Sequence, residues 1–212
     1  GGSGFWAAFG AALVSDQVAV TCKVGDDFEP YYPVLARLGI RSDGLVRRGE
    51  HTSRTIVTYP QPGQRHEQPL PSWEEHVAMR TMADEFPEAV AHPGSYYVFR
   101  DFHPGFWEGL LDVVEPQVPV LWEIPGAICR PDQRRRVGEV LQRTGLLSIN
   151  REEAEGLTGK REESAQLAAL HDLGARIIAL RRGSRGCVTS DGSRCWWATP
   201  PAGVEVVDVT GA

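Results

Sequence analysis

The sequence predicts an α/β fold with a mostly parallel central sheet and a small β lid, and three observations carry that prediction. Apolar runs alternate with helical patterns through most of the chain: "YYVFR", "VPVLWEI", "LLSIN" and "RIIALR" read as strands separated by segments of helical spacing. Such alternation implies parallel strands covered by helices. Between Gly44 and Leu70 the texture changes: "TSRTIVTY" has strand propensity and "PQPGQRH" carries a turn signal, which together predict a hairpin that projects from the main sheet. Finally, 212 residues with 42% hydrophobic and 24% charged side chains suffice for one sizeable core and a small appended element.

The elements follow in order. Phe5 to Leu13 is rich in Ala and aromatic residues and reads as a helix, and Val18 to Val24 as a strand. Tyr31 to Leu38 has helical spacing with Gly39 placed to end it. Beyond the hairpin, helices are expected over Met79 to Ala89, Phe106 to Val114, Arg134 to Arg143, Glu152 to Leu157 and Ser164 to Leu173. "GCVTSDGSRCWWAT" predicts an antiparallel hairpin turning at Asp191-Gly192, and "VEVVDV" a final strand. There is no internal repeat.

A formal net charge of -6 argues against a nucleic-acid-coating surface, while leaving room for an anionic ligand held locally by backbone amides and a few Arg. Cys22, Cys129, Cys187 and Cys195 form no C-x-x-C pair, so neither a zinc knuckle nor a dithiol redox site is indicated. No apolar run reaches bilayer length and no signal peptide is evident, which leads to the expectation of a cytoplasmic protein without a membrane partner. The chain opens on "GGSGFWAAFGAAL" and closes on "VVDVTGA", both reading as structure and not as polar tails, so a fragment of a longer protein is expected.

Four stretches carry candidate chemistry. In "SINREEAEGLTG", Asn150 stands where a strand hands over to a helix with Glu153 three residues on. This is the spacing of a capping box, and equally a place where a carboxylate can organise a hydrated divalent ion. In "RRGSRGCVT", Gly183 and Gly186 let backbone amides approach a phosphate with Arg181, Arg182 or Arg185 nearby as cations, or form a solvated turn. In "DVTGA", Asp208 and Thr210 alternate on one side of an extended segment before Gly211, whose turn can aim amides at an anion. Asp26 and Asp27 in "VGDDF" read as a turn or as paired carboxylates.

Taken together, "GGSGFWAAFGAAL", "KVGDDFEPYYPVLARLGI", "HTSRTIVTY", "SINREEAEGLTG", "ALRRGSRGCVT" and "VVDVTGA" resemble, in order and spacing, the ribokinase-like PfkB carbohydrate kinases over essentially the whole chain. "VLWEIPGAICRPD" and the aromatic-rich opening also look like a subgroup of that family found in fungi and some bacteria. The resemblance implies a three-layer α/β sandwich with a β lid around Thr52 to Tyr59, truncated at both ends. It implies transfer of the γ-phosphoryl group of ATP to a hydroxyl of a sugar or nucleoside, with Mg2+ and, in several members, K+.

By the same resemblance Gly1 and Gly2 approach the acceptor together with Trp6 and Asp26, and Asn150 and Glu153 match the N-x-x-E motif, with Glu153 reaching magnesium through water. Arg181, Gly183, Gly186 and Thr210 fall on the nucleotide side, Asp208 serves a monovalent cation, and Gly211 and Ala212 begin the anion hole. The family's general base is expected two residues after Ala212, so the 212-residue piece is expected to lack useful activity and to be aggregation-prone. Trp6 stands where the family usually has Asn, which favours a bulkier or aromatic acceptor. A homodimer through the lid is a further implication. The rival expectation is a non-catalytic relative that binds nucleotide or sugar as a regulatory or interaction protein.

Overall fold

The computed structural model describes residues 2–61, 64–70 and 72–203. The chain divides into two compact units, one of residues 1–6 and 93–212 and the other of residues 7–92. Helix α1 (Ser3–Ala12), Ala-rich and free of Pro, begins in the first and ends in the second.

In the unit of residues 7–92, β1 (Val18–Ala19) and β2 (Cys22–Val24) precede α2 (Tyr32–Arg37), which leads to β3 (Ile40–Arg41) and β4 (Leu45–Arg47). The single strand expected over Val18 to Val24 is two, because the chain changes partner at Val20-Thr21: β1 runs parallel to β3 and β2 parallel to β4. Gly39 follows α2 with φ of 70°, the left-handed conformation expected of its helix end. β5 (Arg54–Gln61) and β6 (Gln64–Leu70) form the antiparallel hairpin, whose register shifts between Thr58 and Gln61. The hairpin is therefore shorter at its start than expected, since residues 45–47 pair with β2 instead.

The helix expected over Met79 to Ala89 does not form. Instead α3 (Trp73–Ala78) starts earlier, capped by Ser72, whose hydroxyl accepts from the Glu75 amide at 3.1 Å. Past Met79 the chain makes only single turns at Ala83–Glu85 and Glu88–Val90. Two causes are evident: Pro87 cannot donate within a helix, and the Lys23 ammonium gathers the Arg80 carbonyl (3.1 Å) and the Glu85 carboxylate (2.8 Å) around itself. A distant charge thus overrides a local helical pattern.

The other unit alternates as predicted: β7 (Tyr96–Phe99), α4 (Pro104–Val113), β8 (Val120–Glu123), α5 (Arg134–Thr144), β9 (Gly145–Asn150), α6 (Arg151–Thr158), α7 (Glu163–Asp172), β10 (Ile177–Arg181), then β11 (Cys187–Ser190) and β12 (Cys195–Ala198). The six strands lie in the order β12-β11-β10-β9-β8-β7, with β7 to β10 parallel and β11 and β12 a returning hairpin. The final strand expected over "VEVVDV" lies outside the described residues.

Parallel strands added one after another in a single direction, joined by right-handed crossovers, place their connecting helices on one face. The burial agrees. Val98, Trp122, Leu147, Ile178, Ile149, Leu180 and Val188 share that face by register and are buried. Trp122 meets Trp107 of α4 edge-on at 5.2 Å, and Leu110, Leu141, Leu157 and Leu170 of the four helices are fully buried. Each such side chain contributes about 1.5–3 kcal/mol. Tyr97, Phe99, Glu123 and Arg181 belong to the opposite face, because side chains alternate along a strand. Among the described residues no helix is long and apolar enough to cross a membrane.

Candidate functional site

The C-terminal ends of parallel strands are where an open α/β sheet presents ligands, and here those of β8, β9 and β10 converge on charged side chains. Asn150 closes β9 and caps α6: its side-chain oxygen accepts from the Glu153 amide at 2.8 Å, while Glu153 Oε2 accepts from the Asn150 amide at 2.8 Å. This reciprocal box satisfies two of the amides that a helix start leaves unpaired. Capping and ligand reach are compatible, because Glu153 has a second oxygen. A side chain in place of Gly126 would come within 3.4 Å of Glu153 Oε1, so glycine there keeps that side of the carboxylate uncrowded.

Arg181 ends β10 beside Asn150 in register. Its guanidinium bridges two carboxylates, bonding Glu123 Oε1 at 2.8 Å and lying 3.6 Å from Glu153 Oε2. Glu123 ends β8, and the Tyr97 hydroxyl of β7 donates to it. The Glu123 side chain is 9% exposed and that of Arg181 37% exposed, so the acid is sealed in while the base reaches solvent. Burial pushes the Glu123 carboxyl above its usual range despite the opposing pull of Arg181, and burial likewise raises Glu153. Burial, with Glu153 adding to it, pushes the Cys129 thiol up to about 12, which leaves it an unreactive neutral thiol. Two carboxylates against one guanidinium leave the cluster with a net negative charge.

Glu123 was not among the sequence-derived candidates. The signal was present, however: an acid at the end of the apolar run "VPVLWEIPG" is expensive to bury and so calls for a partner or a role.

The loop after β10 separates its two glycines. Gly186 (φ 84°) is required by the fold, since any side chain there would overlap the Ala198 carbonyl of β12. Gly183 (φ 59°) has no atom of the described residues within 4 Å of where a Cβ would stand, a cradle that a phosphate could approach. Arg182 turns away toward Glu163 (3.6 Å) and the Arg185 carbonyl (2.9 Å).

Asn150, Glu153, Arg181 and Gly183 therefore stand along one edge of one sheet. Gly2 (φ 113°) and Trp6 lie at the start of α1, where the Trp6 amide bonds the Gly2 carbonyl at 3.2 Å and the Trp6 ring sits edge-on to Phe5. In the unit of residues 7–92, Asp26 is largely exposed and lies 3.4 Å from Arg47, whereas Asp27 is the fixed carboxylate of the pair. Asp27 accepts from the Thr52 amide and hydroxyl, each at 2.7 Å, and from Arg54 at 2.6 Å. The Thr52 hydrogen bonds, with help from Arg54, hold its carboxyl below the usual range. Asp27 thus ties the turn after β2 to the root of the hairpin. A cleft of about 320 Å3 beside that root is lined by Arg48, His51, Ser53, Leu70 and Glu75 among others. Gly1, Asp208, Thr210, Gly211 and Ala212 lie outside the described residues.

The donor set at the sheet edge suits a magnesium ion bound mainly by water and phosphate. Oxygen donors of Glu153 and Glu123 stand together, and among the described residues no group of three or more His, Cys, Asp or Glu is placed to hold a metal by itself.

The sequence pattern of the pfkB family carbohydrate kinases matches residues 1–212, and the chain belongs to that family. Among curated proteins, none matches by sequence. Among solved structures, an adenosine kinase from Sinorhizobium meliloti is similar at 17% identity and a TM-score of 0.76, over 98% of this chain and 66% of that one. A putative ribokinase II from E. coli, in complex with ATP and Mg2+, is similar at 17% identity and a TM-score of 0.71, over 96% of this chain and 70% of that one. A Burkholderia thailandensis nucleoside kinase in complex with inosine aligns at 17% identity and a TM-score of 0.69, over 100% of this chain and 68% of that one. The ribokinase-like α/β fold is thereby established, and the chain spans about two thirds of the length of these proteins.

Proposed function

We propose that the full-length protein transfers the γ-phosphoryl group of ATP to a hydroxyl of a sugar, nucleoside or similar small molecule. The observation that carries this reading is the Asn150–Glu153 box at the C-terminal edge of the parallel sheet, beside the open Gly183 turn. Membership of the pfkB family supports the same direction. In this reading Glu153 would hold a magnesium ion through water, which when bound would supply positive charge against the phosphates, and Gly183 and Arg181 lie toward the nucleotide. Gly1, Gly2, Trp6 and Asp26 serve the acceptor, the hairpin of β5 and β6 closes as a lid, and Asp208 and Thr210 hold a monovalent cation such as K+. Gly211 and Ala212 open the anion hole, ahead of a general base two residues further on. The protein is cytoplasmic and dimerises through the lid.

The test is a phosphotransfer screen of the full-length protein against sugars and nucleosides, comparing Glu153→Ala and Glu153→Gln. Gln preserves the cap by accepting from the Asn150 amide, so both variants are expected to lose roughly 10- to 100-fold in activity while only Ala loosens α6. Undiminished turnover in both, with an acceptor in hand, removes Glu153 from the mechanism.

A binding protein without turnover is the second reading, and one observation favours it: Arg181 engages both carboxylates that would serve a cation. Acceptor-independent binding of ATP with no product over the whole screen would select this reading.

A further inference from the structure

We propose that Arg181 is a displaceable internal counter-ion, anchored by Glu123, that guards the carboxylates against a divalent cation until a phosphate-bearing ligand draws it away. The inference rests on the nucleotide-and-magnesium reading above and adds to it a coupling built into this chain.

The guanidinium occupies the position between Glu123 and Glu153 that a cation serving both acids would need, with contacts of 2.8 and 3.6 Å. Its anchor is unequal: the closer bond goes to the sealed Glu123, which also accepts from Tyr97, and the looser contact goes to Glu153. Arg181 Nε is buried and has no hydrogen-bond partner among the described residues, so the resting arrangement leaves one guanidinium donor unused there. A planar guanidinium with an unused donor and partial access to solvent is suited to re-form its bonds on phosphate oxygens, which accept in the same forked geometry. Gly183 stands two residues on with no atom of the described residues beside it, so a phosphate can approach from that side. Once Arg181 turns, two carboxylates with a net charge of about -2 remain, an arrangement that is costly until a divalent cation arrives.

Phosphate and metal therefore promote each other's binding by the same factor, as linkage requires. In the resting state Glu123 positions Arg181; once Arg181 turns, the Glu123 carboxylate faces the cation together with that of Glu153.

Binding of Mn2+ to the full-length protein, followed by electron paramagnetic resonance without nucleotide, tests the proposal. Arg181→Gln is expected to bind free Mn2+ about tenfold more tightly than wild type, and Arg181→Lys, which cannot bridge two acids, to gain less. Adding Glu153→Gln to Arg181→Gln is expected to abolish the gain. With a non-hydrolysable ATP analogue present, the analogue should tighten Mn2+ binding markedly in wild type and little in Arg181→Gln. Free Mn2+ affinity in Arg181→Gln equal to or below wild type overturns the guard, whatever the analogue does. If instead the analogue never binds wild type but Arg181→Gln still gains affinity for Mn2+, the guard stands and the nucleotide reading falls.

Discussion

The two units of this chain fix their polar groups by opposite means. In the unit containing the six-stranded sheet, Glu123 ends β8 and Glu153 lies in the first turn of α6 after β9, beside a sheet whose Trp122, Leu147, Ile149 and Leu180 are fully buried, and burial raises both carboxyls. In the unit of residues 7–92 the strands are mostly short pairs, and Asp27 is held at the surface by Thr52 and Arg54, which lower its carboxyl. One unit stores electrostatic cost at a site, and the other uses a carboxylate as a tie. Burial without enough compensation is characteristic of functional positions, whereas a satisfied exposed carboxylate is ordinary structural chemistry.

The comparison can be broken most sharply in the apolar layers. Trp122→Ala is expected to cost about 3–5 kcal/mol, because its ring is sealed against Trp107 and Phe102, while Ile56→Ala in the half-exposed hairpin is expected to cost less than about 1 kcal/mol. Urea denaturation of both variants checks this, and comparable losses would mean that the hairpin shares the core's role. Next in size, Gly186→Ala forces a side chain onto the Ala198 carbonyl at positive φ and should cost about 1–3 kcal/mol, while Gly183→Ala, also at positive φ but facing open space, should cost less. Asn150→Ala should cost about 1 kcal/mol by removing the cap, and Asn150→Asp should recover most of it.

The pH dependence sharpens the contrast in sign. Glu123 and Glu153 have folded values above their unfolded ones, so their contribution to stability is fully present below the ordinary Glu range and is lost as pH rises through the raised values. Asp27 has a folded value below its unfolded one, so its contribution is present above the ordinary Asp range and is lost as pH falls through the lowered value. Carboxyl-carbon NMR titration should place the Asp27 midpoint below the ordinary range and those of Glu123 and Glu153 above it. Glu123→Gln should flatten the decline in melting temperature as pH rises above the ordinary Glu range. A Glu123 midpoint at or below the ordinary Glu value would show that Arg181 outweighs burial and would erase the difference between the units.

Much of this was written in local patterns. The alternation from Tyr96 to Arg181, the turn at Asp191-Gly192 and the Asn150–Glu153 box each depend on residues close in sequence, and each formed. The expected helix over Met79 to Ala89 did not form, because Lys23, more than fifty residues earlier, engages the carbonyls and carboxylate of that stretch. Gly186 reads as a phosphate glycine from its motif, and the close approach of Ala198 is a second demand on that position that the motif does not show. Glu123 escaped notice because an isolated acid in an apolar run has no meaning until its partners are known.

The sequence by itself determined the α/β alternation, the hairpin and the family, since periodicity, turn residues and motif order are properties of short stretches and their spacing. Only the tertiary structure decided that Glu123, Glu153 and Arg181 form one cluster. Strand order brings together the ends of β8 and β10 at positions 123 and 181 and the helix start after β9 that carries position 153, and these contacts span segments far apart in sequence.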